Sequence, residues 1–414
     1  MNTDPHNADW RPRLAARAAR MQASEIRELL KVIERPGIVS FAGGIPDPAL
    51  FPREEAAAAY GAVLAEAGPS ALQYSVSEGD PALKDWIVRH MASLGVQCGP
   101  ENILVTSGAQ QGLEFLGRLL ISPGDTALVA APTYLGALQA FSAYEPRYET
   151  LPAAPTNRSA ADCRAAAAEA GGDLTFAYVV PDFANPTGET MDARARAALL
   201  TFAEEASIPV IEDSPYATLR YEGEAPPALQ ALDIARVGHI DNSRVIHCGS
   251  FSKIFMPGLR VGWVCARADL IERLTLIKQA SDLNAPRLNQ LVMLRLAETL
   301  YDEQVAKTRD AYRPKRDAML AALARHMPEG ASWSRPEGGM FIWLNAPPQV
   351  DAKALLPRAV EEAGVAYVPG GAFFHDGGGA NTMRLSFSLP SVDQIEAGIA
   401  RLGALMSAEI MRLH

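Results

Sequence analysis

The chain has 414 residues, with 38 lysines and arginines against 48 aspartates and glutamates, which gives a net charge of −10. Hydrophobic residues make up 48% and charged residues 21%, a composition too apolar for a disordered protein. The acidic balance argues against a nucleic-acid partner, and the spacing of the four cysteines argues against a disulfide framework or a zinc site. We therefore expect a cytoplasmic protein of more than one domain, without a bound metal.

The N-terminal segment is rich in arginine but lacks the apolar region of a secretory signal. No stretch of the sequence is apolar over the length that a membrane helix needs, so no membrane partner is expected. The first predicted helix is Ala23–Ile33, because its apolar residues recur at helical spacing. A loop with two glycines and a proline, Phe41–Asp47, follows it.

The middle of the chain, up to Trp263, alternates short apolar strands with alanine-rich helical segments. The predicted strands are Ile103–Thr106, Ala127–Ala130, Thr175–Val180, Pro209–Glu212, Val245–Cys248 and Val261–Cys265. This alternation is typical of βαβ units, so we predict an α/β fold with a mainly parallel sheet flanked by helices. Ligands of such sheets bind beyond the carboxyl ends of the strands.

The C-terminal part of the chain differs in pattern from the middle. A long helical region begins after Leu270 and ends at Pro328–Gly330, and a smaller α+β unit follows, with its clearest strand at Met383–Ser388. We predict three parts of the chain. They are an N-terminal arm and segment joining the small domain (residues 1–50), a large domain (51–300) and a small C-terminal domain (301–414).

Polar residues follow several of the predicted strands. The turn Ser107–Gln111 opens a helix, where a glycine lets the backbone approach a ligand and free N–H groups attract an anion. Asn185 lies in an Asn-Pro turn after another strand. Glu212 and Asp213 end a third strand, where side chains alternate, so only one of the two carboxylates can enter the crevice. A helix cap is the alternative role for Asp213.

A fourth strand ends in Ser250-Phe-Ser-Lys253. Apolar neighbours on both sides would partly desolvate Lys253, which lowers the pKa of a lysine and makes its neutral amine accessible. Arg260 adds a fixed charge suited to bidentate phosphate binding. As a set, a lysine, an anion-binding turn and a strand-end carboxylate suit a phosphorylated aromatic aldehyde.

These motifs resemble those of the class I/II, fold-type I aminotransferases that depend on pyridoxal phosphate. The resemblance rests on Ser250–Lys253 with Pro257–Trp263, on Asn185–Gly188, on Glu212–Tyr216 and on Met383–Leu385. Arg20–Ser24, Phe41–Pro46 and Leu72–Tyr74 bring the chain nearest to the 2-aminoadipate, kynurenine and aromatic aminotransferase branch. The resemblance implies an aspartate-aminotransferase-like large domain that binds the cofactor, and a smaller α+β domain.

The resemblance also implies roles for the catalytic residues. Lys253 would hold the cofactor as an internal aldimine and then carry a proton between the substrate Cα and the cofactor. Asp213 would keep the pyridine nitrogen protonated, Tyr134 would stack on the ring, and Asn185 and Tyr216 would bind its phenolic oxygen.

A second implied group holds the cofactor phosphate. Its members in this sequence are Ser107, Gly108, Ala109, Gln110, Ser250, Ser252, Arg260 and, from the other subunit of a homodimer, Tyr74. The family more often has Ser or Thr where this chain has Ala109, so one hydroxyl contact is missing while the backbone amides remain.

The implied reaction moves the amino group of an L-α-amino acid to a 2-oxo acid such as 2-oxoglutarate. The donor would be 2-aminoadipate or an aromatic, branched or aliphatic amino acid. Arg384 would bind its α-carboxylate, near Asn185 and the Gly44 backbone, and Arg20 could reach an acidic side chain. A lyase or decarboxylase would use the same Lys253 and Asp213, and this alternative stays open.

Two interpretations from other classes are weaker. Ser250–Lys253 fits the S-x-x-K pattern of penicillin-binding enzymes, but that class also needs S-D-N and K-T-G, and the sequence has only Ser281-Asp-Leu-Asn284. A cofactor-sensing regulator of this fold would carry an N-terminal DNA-binding domain, for which about twenty residues before Met21 are too few.

Overall fold

We describe the fold from a computed structural model, which describes residues 13–20, 37–152 and 158–413. The predicted helix Ala23–Ile33 lies outside these ranges. The strands are β1 (Val39–Ser40), β2 (Ile103–Thr106), β3 (Thr126–Val129), β4 (Arg147–Thr150), β5 (Leu174–Val179), β6 (Val210–Asp213), β7 (Val245–Ser250), β8 (Gly262–Cys265), β9 (Ser332–Trp333), β10 (Phe341–Asn345), β11 (Val365–Ala366), β12 (Val368–Pro369) and β13 (Thr382–Ser386).

Helices precede, separate and follow these strands. The α-helices are α1 (Arg53–Ala71), α2 (Pro81–Ser93), α3 (Ala109–Leu120), α4 (Leu135–Ser142), α5 (Ala160–Glu169), α6 (Ala193–Ala206), α7 (Leu229–Val237), α8 (Ala268–Ser281), α9 (Arg287–His326), α10 (Ala352–Glu361) and α11 (Val392–Leu413). A short 3-10 helix, Ala16–Arg20, lies before them in the chain.

Seven strands of the described residues form one sheet in the order β2-β8-β7-β6-β5-β3-β4. All of its neighbouring pairs are parallel except those of β8, which runs antiparallel to β2 and β7. The connection from Phe251 to Val261 is shorter than the dozen or more residues that a parallel crossover needs, so β8 must turn back. The predicted α/β architecture is confirmed, and its six predicted strands all form with small shifts at their ends.

Helices cover both faces of this sheet, as its apolar strands predict. On one face, Leu113 and Phe141 pack with Leu274 against the strands. On the other face, Leu199 of α6 and Leu229 of α7 form a second core. With both faces covered, polar groups can leave the sheet only at the ends of its strands.

A second, antiparallel sheet has the order β12-β13-β10-β9. Separately, β1 pairs in parallel with β11, so that Val39 lies beside Val365 and the N-terminal segment contacts the C-terminal unit. The 40-residue helix α9 runs without interruption across the predicted boundary at residue 300. The three-part division of the chain stays a prediction.

Candidate active site

The polar residues that follow the strands of the large sheet meet at the end of the sheet where its parallel strands have their carboxyl termini. Ser107 follows β2, Asn185 follows β5, Asp213 ends β6 and Ser250 ends β7. These four strands point the same way, since β8 runs antiparallel to both β2 and β7. The carboxyl ends of parallel strands form the crevice in which such sheets bind ligands. These four predicted residues therefore lie at the same end of the sheet.

Lys253 lies between β7 and β8, and its side chain is partly buried. Its Nζ donates a hydrogen bond to the carbonyl oxygen of Gly44 at 3.1 Å and lies 5.7 Å from the centroid of the Tyr216 ring. Burial, together with the positive charges of Arg384 and Arg260, lowers the pKa of Lys253 to about 8. A neutral, nucleophilic amine is therefore accessible close to neutral pH.

Asp213 is buried at the end of β6, and its two carboxylate oxygens have different surroundings. Oδ2 accepts a hydrogen bond from the Tyr178 hydroxyl at 2.7 Å, whereas Oδ1 is buried with no partner among the described residues. Burial raises the pKa of Asp213 to about 6, against the lowering effects of the Tyr178 hydroxyl and of the charges on His247 and Lys253. A buried acceptor without a donor is costly, which marks Oδ1 as a binding atom.

Glu212 points away from the crevice. Its carboxylate accepts hydrogen bonds from the backbone N–H groups of Leu229 at 2.7 Å and Gln230 at 3.1 Å, at the start of α7. Nδ1 of His247 lies 3.1 Å from the same carboxylate. The helix-capping role considered for Asp213 therefore belongs to its neighbour, and Asp213 is left for the crevice.

Arg384 of β13 reaches the same crevice from the second sheet. Its guanidinium donates to the Asn185 side-chain oxygen and to the Ala42 carbonyl oxygen, both at 2.8 Å. The rings of Phe341 and Phe373 lie 4.5 Å and 5.2 Å from its guanidinium carbon. Burial lowers the pKa of Arg384 to about 10, so the group stays positive at neutral pH. Its Nε has no partner among the described residues.

Asn185 links Arg384 to a buried phenol. Burial raises the pKa of the Tyr216 hydroxyl well above its ordinary value, although the nearby Asn185 side chain acts to lower it. The Tyr216 ring packs edge-on against Phe341, with 5.8 Å between the ring centroids. The amide and the hydroxyl are thus held together beside Lys253, where an oxygen of a bound ring could meet both.

The turn before α3 is shaped for an anion. Gly108 has a positive φ of 81°, and no side chain among the described residues caps the helix that begins at Ala109. The guanidinium of Arg260 donates to the carbonyl oxygen of Ser107 at 3.1 Å. A Cβ at Gly108 would lie 2.3 Å from a nitrogen of Arg260. Backbone N–H groups at a helix start and an arginine together make a phosphate site.

Hydroxyl groups and a tyrosine border this turn. The Ser250 hydroxyl donates to that of Ser252 at 2.9 Å. Tyr134 is partly buried at the start of α4, and its hydroxyl lies 3.4 Å from the Gln110 side-chain oxygen. Gln110 in turn donates to the carbonyl oxygen of Gly136 at 2.6 Å. These predicted residues therefore lie together beside the turn that precedes α3.

Two predicted residues lie apart from this group. Tyr74 is 76% exposed, and the contacts of its backbone N–H are local, to the Gln73 side chain. Arg20 is exposed, and its Nη1 donates to the Pro146 carbonyl oxygen at 3.4 Å. The structure places neither of them at the crevice, and their roles stay predictions.

Sequence reasoning missed three residues that support the site. The first is Tyr178, which lies in a strand that is buried on both faces. The sequence could have indicated it, because the hydroxyl of a buried tyrosine needs a hydrogen-bond partner. The others are Gln111, whose side-chain oxygen accepts from the Ser107 N–H at 2.8 Å, and Lys278, whose Nζ donates to that same oxygen at 3.1 Å. They lie on α3 and α8, whose packing the sequence does not reveal.

Pyridoxal phosphate fits the residues present. The turn at Gly108 and Arg260 suits its phosphate, the unpartnered Oδ1 of Asp213 suits a protonated ring nitrogen, and Lys253 suits its aldehyde carbon. The described residues contain no group of histidines, cysteines and carboxylates that could hold a metal ion. Over the same residues, none of the helices is both long and apolar enough to span a bilayer.

Comparison with known proteins places these observations in a family. The family model for class I and II aminotransferases matches residues 38–402. A 2-aminoadipate transaminase from Thermus thermophilus is 42% identical, over 95% of this chain and 96% of its own length. Aromatic-amino-acid aminotransferase 1 from Thermococcus litoralis is 38% identical, over 98% of this chain and 96% of its own length.

A solved structure extends the comparison to the cofactor. The crystal structure of an α-aminoadipate aminotransferase from Thermus thermophilus, complexed with N-(5'-phosphopyridoxyl)-L-leucine, matches with a TM-score of 0.86. It is 39% identical and covers 98% of this chain and 100% of that chain. The fold is aspartate-aminotransferase-like, as the resemblance predicted. The chain belongs to the class I and II aminotransferases, fold-type I enzymes that use pyridoxal phosphate.

Proposed function

We propose that this aminotransferase moves the amino group of 2-aminoadipate, or of an aromatic, branched or aliphatic L-amino acid, to a 2-oxo acid such as 2-oxoglutarate. The observation that carries the proposal is the arrangement of three ionisable groups around one crevice. They are a partly buried lysine with a lowered pKa, a buried carboxylate with one oxygen unpartnered, and a buried arginine.

Each group has a role that its surroundings support. Bound pyridoxal phosphate supplies an electron sink for the pair left on the substrate Cα when a proton leaves. Lys253 would hold the cofactor, and its Nζ would take the proton from the substrate Cα and deliver it to the carbon that carried the cofactor aldehyde. Oδ1 of Asp213 holds the proton of the ring nitrogen. Arg384 binds the α-carboxylate, beside Asn185 and the Gly44 backbone.

The remaining contacts hold the cofactor in place. Asn185 and Tyr216 bind its phenolic oxygen, and Tyr134 covers its ring. The phosphate ligands are Ser107, Gly108, Ala109, Gln110, Ser250, Ser252, Arg260 and Tyr74 of a second copy. The exposed apolar side chains of Leu72, Tyr74 and Val76 support a homodimer, and we place the enzyme in the cytoplasm.

The choice of donor is the part of this proposal that relatives alone support. Proteins similar to this chain act, by their names, on 2-aminoadipate and on aromatic amino acids. An acidic donor needs a positive group for its side chain, and we propose that Arg20 supplies it. Aromatic and aliphatic donors need no such charge.

A panel of donors tests this assignment. With 2-oxoglutarate as acceptor, Arg20→Ala should lower kcat/KM for 2-aminoadipate at least tenfold, the loss of one hydrogen-bonded ion pair, and leave leucine and phenylalanine within about twofold. Arg13→Ala, at an exposed arginine of the same N-terminal segment, is the matched control. Equal losses for all donors would show that Arg20 does not read the side chain.

A further inference from the structure

The two oxygens of the Asp213 carboxylate are distinguished by one neighbour. Tyr178 donates to Oδ2, and Oδ1 is the oxygen left unpartnered among the described residues. A carboxylate turns easily about its last side-chain bond, and rotation by half a turn exchanges its oxygens. Something must therefore fix the plane of the group if one oxygen is to face a ligand.

Tyr178 is itself held firmly. It lies on β5, next to β6, where its backbone is paired with Ile211, and its side chain is fully buried. Phe141 packs edge-on against its ring, with 5.9 Å between the ring centroids and 77° between the ring planes. The hydroxyl at 2.7 Å from Oδ2 is thus a fixed donor, and a fixed donor orients its acceptor.

We propose that Tyr178 is a positioning residue, which holds the Asp213 carboxylate so that Oδ1 faces the ring nitrogen of the cofactor. The inference rests on the proposed function, because it assigns Asp213 to that nitrogen. Tyr178 acts through Asp213. The same hydrogen bond favours the ionised carboxylate, which is the form that pairs with a protonated ring nitrogen.

A pair of cofactor analogues isolates this role. Cofactor-free protein is titrated with pyridoxal 5'-phosphate and with 1-deazapyridoxal 5'-phosphate, in which a carbon replaces the ring nitrogen. Both carry the same aldehyde and phosphate, so the ratio of their dissociation constants reports the contact at the nitrogen. A general loss of folded protein changes both constants alike and leaves the ratio intact.

Wild-type protein should prefer the natural cofactor, and Tyr178→Phe should reduce that preference about tenfold, the effect of losing one hydrogen bond to a charged group. Tyr367→Phe is the matched control, because Tyr367 is also fully buried and donates to the carbonyl oxygen of Ala352 at 2.8 Å. It should keep the wild-type ratio.

Asp213→Ala separates the inference from the function it rests on. If Asp213→Ala abolishes the preference and Tyr178→Phe keeps it, Asp213 binds the ring nitrogen without help from Tyr178, and the inference is wrong. If Asp213→Ala itself keeps the preference, the role proposed for Asp213 fails first. A reduced ratio in both variants supports both.

Discussion

At the scale of single residues, burial shifts the pKa values of the three key groups towards their neutral forms. It lowers the pKa of Lys253 to about 8 and that of Arg384 to about 10, and it raises that of Asp213 to about 6. The consequences differ because the three side chains have different ordinary pKa values. Lys253 gains a neutral fraction near neutral pH, whereas Arg384 stays charged and can bind a carboxylate. A positive partner beside Asp213 would lower its pKa again and favour the fully ionised carboxylate.

The raised pKa of Asp213 has a measurable cost. Its carboxyl binds a proton more tightly in the folded protein, with a pKa of about 6, than in the unfolded chain, with an ordinary value of 3.8. The contribution of Asp213 to stability is therefore greatest below pH 3.8 and is lost as the pH rises to about 6, by about 3 kcal/mol. Asp213→Asn does not titrate, so the cofactor-free variant should be more stable than wild type above pH 6.

Denaturant unfolding of both proteins over this pH range measures the effect. The stability difference should grow between the two pKa values and then stay constant. Asp162→Asn is a control at an exposed carboxylate, and it should leave the pH dependence between 3.8 and 6 unchanged. Parallel curves for wild type and Asp213→Asn would contradict the assigned pKa.

At the scale of elements, Glu212 ties strand β6 to the start of α7. Burial raises its pKa, but the hydrogen bonds from His247, Leu229 and Gln230 outweigh burial and lower the pKa overall. Its contribution to stability is present above the ordinary carboxyl pKa and is lost as the pH falls through the lowered value. The charged group therefore helps to hold the helix that packs beside the Asp213 strand.

Removing this carboxylate should destabilise the protein strongly. Glu212→Ala leaves two backbone N–H groups and His247 buried without their acceptor, which costs about 3 kcal/mol or more. Glu204→Ala, which removes an exposed partner of Arg236, should cost less than about 1 kcal/mol. Chemical denaturation at neutral pH compares them, and similar losses in the two variants would contradict the role given to Glu212.

The sequence predicted the strands of the large sheet well, because residues buried on both faces form short, continuous apolar runs. It did not predict β4, whose residues Arg147–Thr150 lie at the edge and are partly exposed. For Glu212 and Asp213, side-chain alternation showed that one carboxylate enters the crevice. Which of the two does so depends on the position of α7, and that is a tertiary contact.

Some of the site residues could be predicted from the sequence and others could not. Lys253, Asn185 and Arg384 could be predicted because each lies in a local motif that the family shares. Tyr178 and Lys278 could not, because their partners lie on other elements and no local motif records the contact. Local motifs indicate the residues that we propose bind the ligand, whereas the residues that support them depend on packing between elements.

At the scale of the whole molecule, charge count and charge position give different information. The chain has a net charge of −10, yet the proposed ligands are anions. The crevice holds three positive groups, Lys253, Arg260 and Arg384, and two of them act directly on the third. The net charge argued against a nucleic-acid partner, whereas the positions of individual charges indicated the chemistry of the site.

The proposed dimer makes a prediction about shared sites. If Tyr74 serves the partner subunit, a mixed dimer of Lys253→Ala and Tyr74→Ala chains has one site with neither defect. Random mixing of equal amounts should then restore about a quarter of the wild-type sites, measured as activity at a cofactor concentration that limits Tyr74→Ala.

The control for this experiment is a mixture of Lys253→Ala and Asp213→Ala. Both residues are proposed to serve their own chain, so every site in that mixture would carry a defect and activity should not return. If the Tyr74 mixture shows only the average of its two parents, Tyr74 does not act across an interface.

The central claim is that this enzyme transfers an amino group with Lys253 as the residue that holds the cofactor and moves the proton, and isotope transfer tests it most directly. Enzyme and 2-oxoglutarate are incubated with 2-aminoadipate, leucine or phenylalanine labelled at the amino nitrogen, and the products are analysed by mass spectrometry. Lys84→Ala is the control, since Lys84 is also partly buried but lies on α2, outside the site. We predict labelled glutamate from at least one donor with wild type and with Lys84→Ala, and none with Lys253→Ala. Label released as ammonia or retained in a decarboxylated amine, or full transfer by Lys253→Ala, would contradict the account.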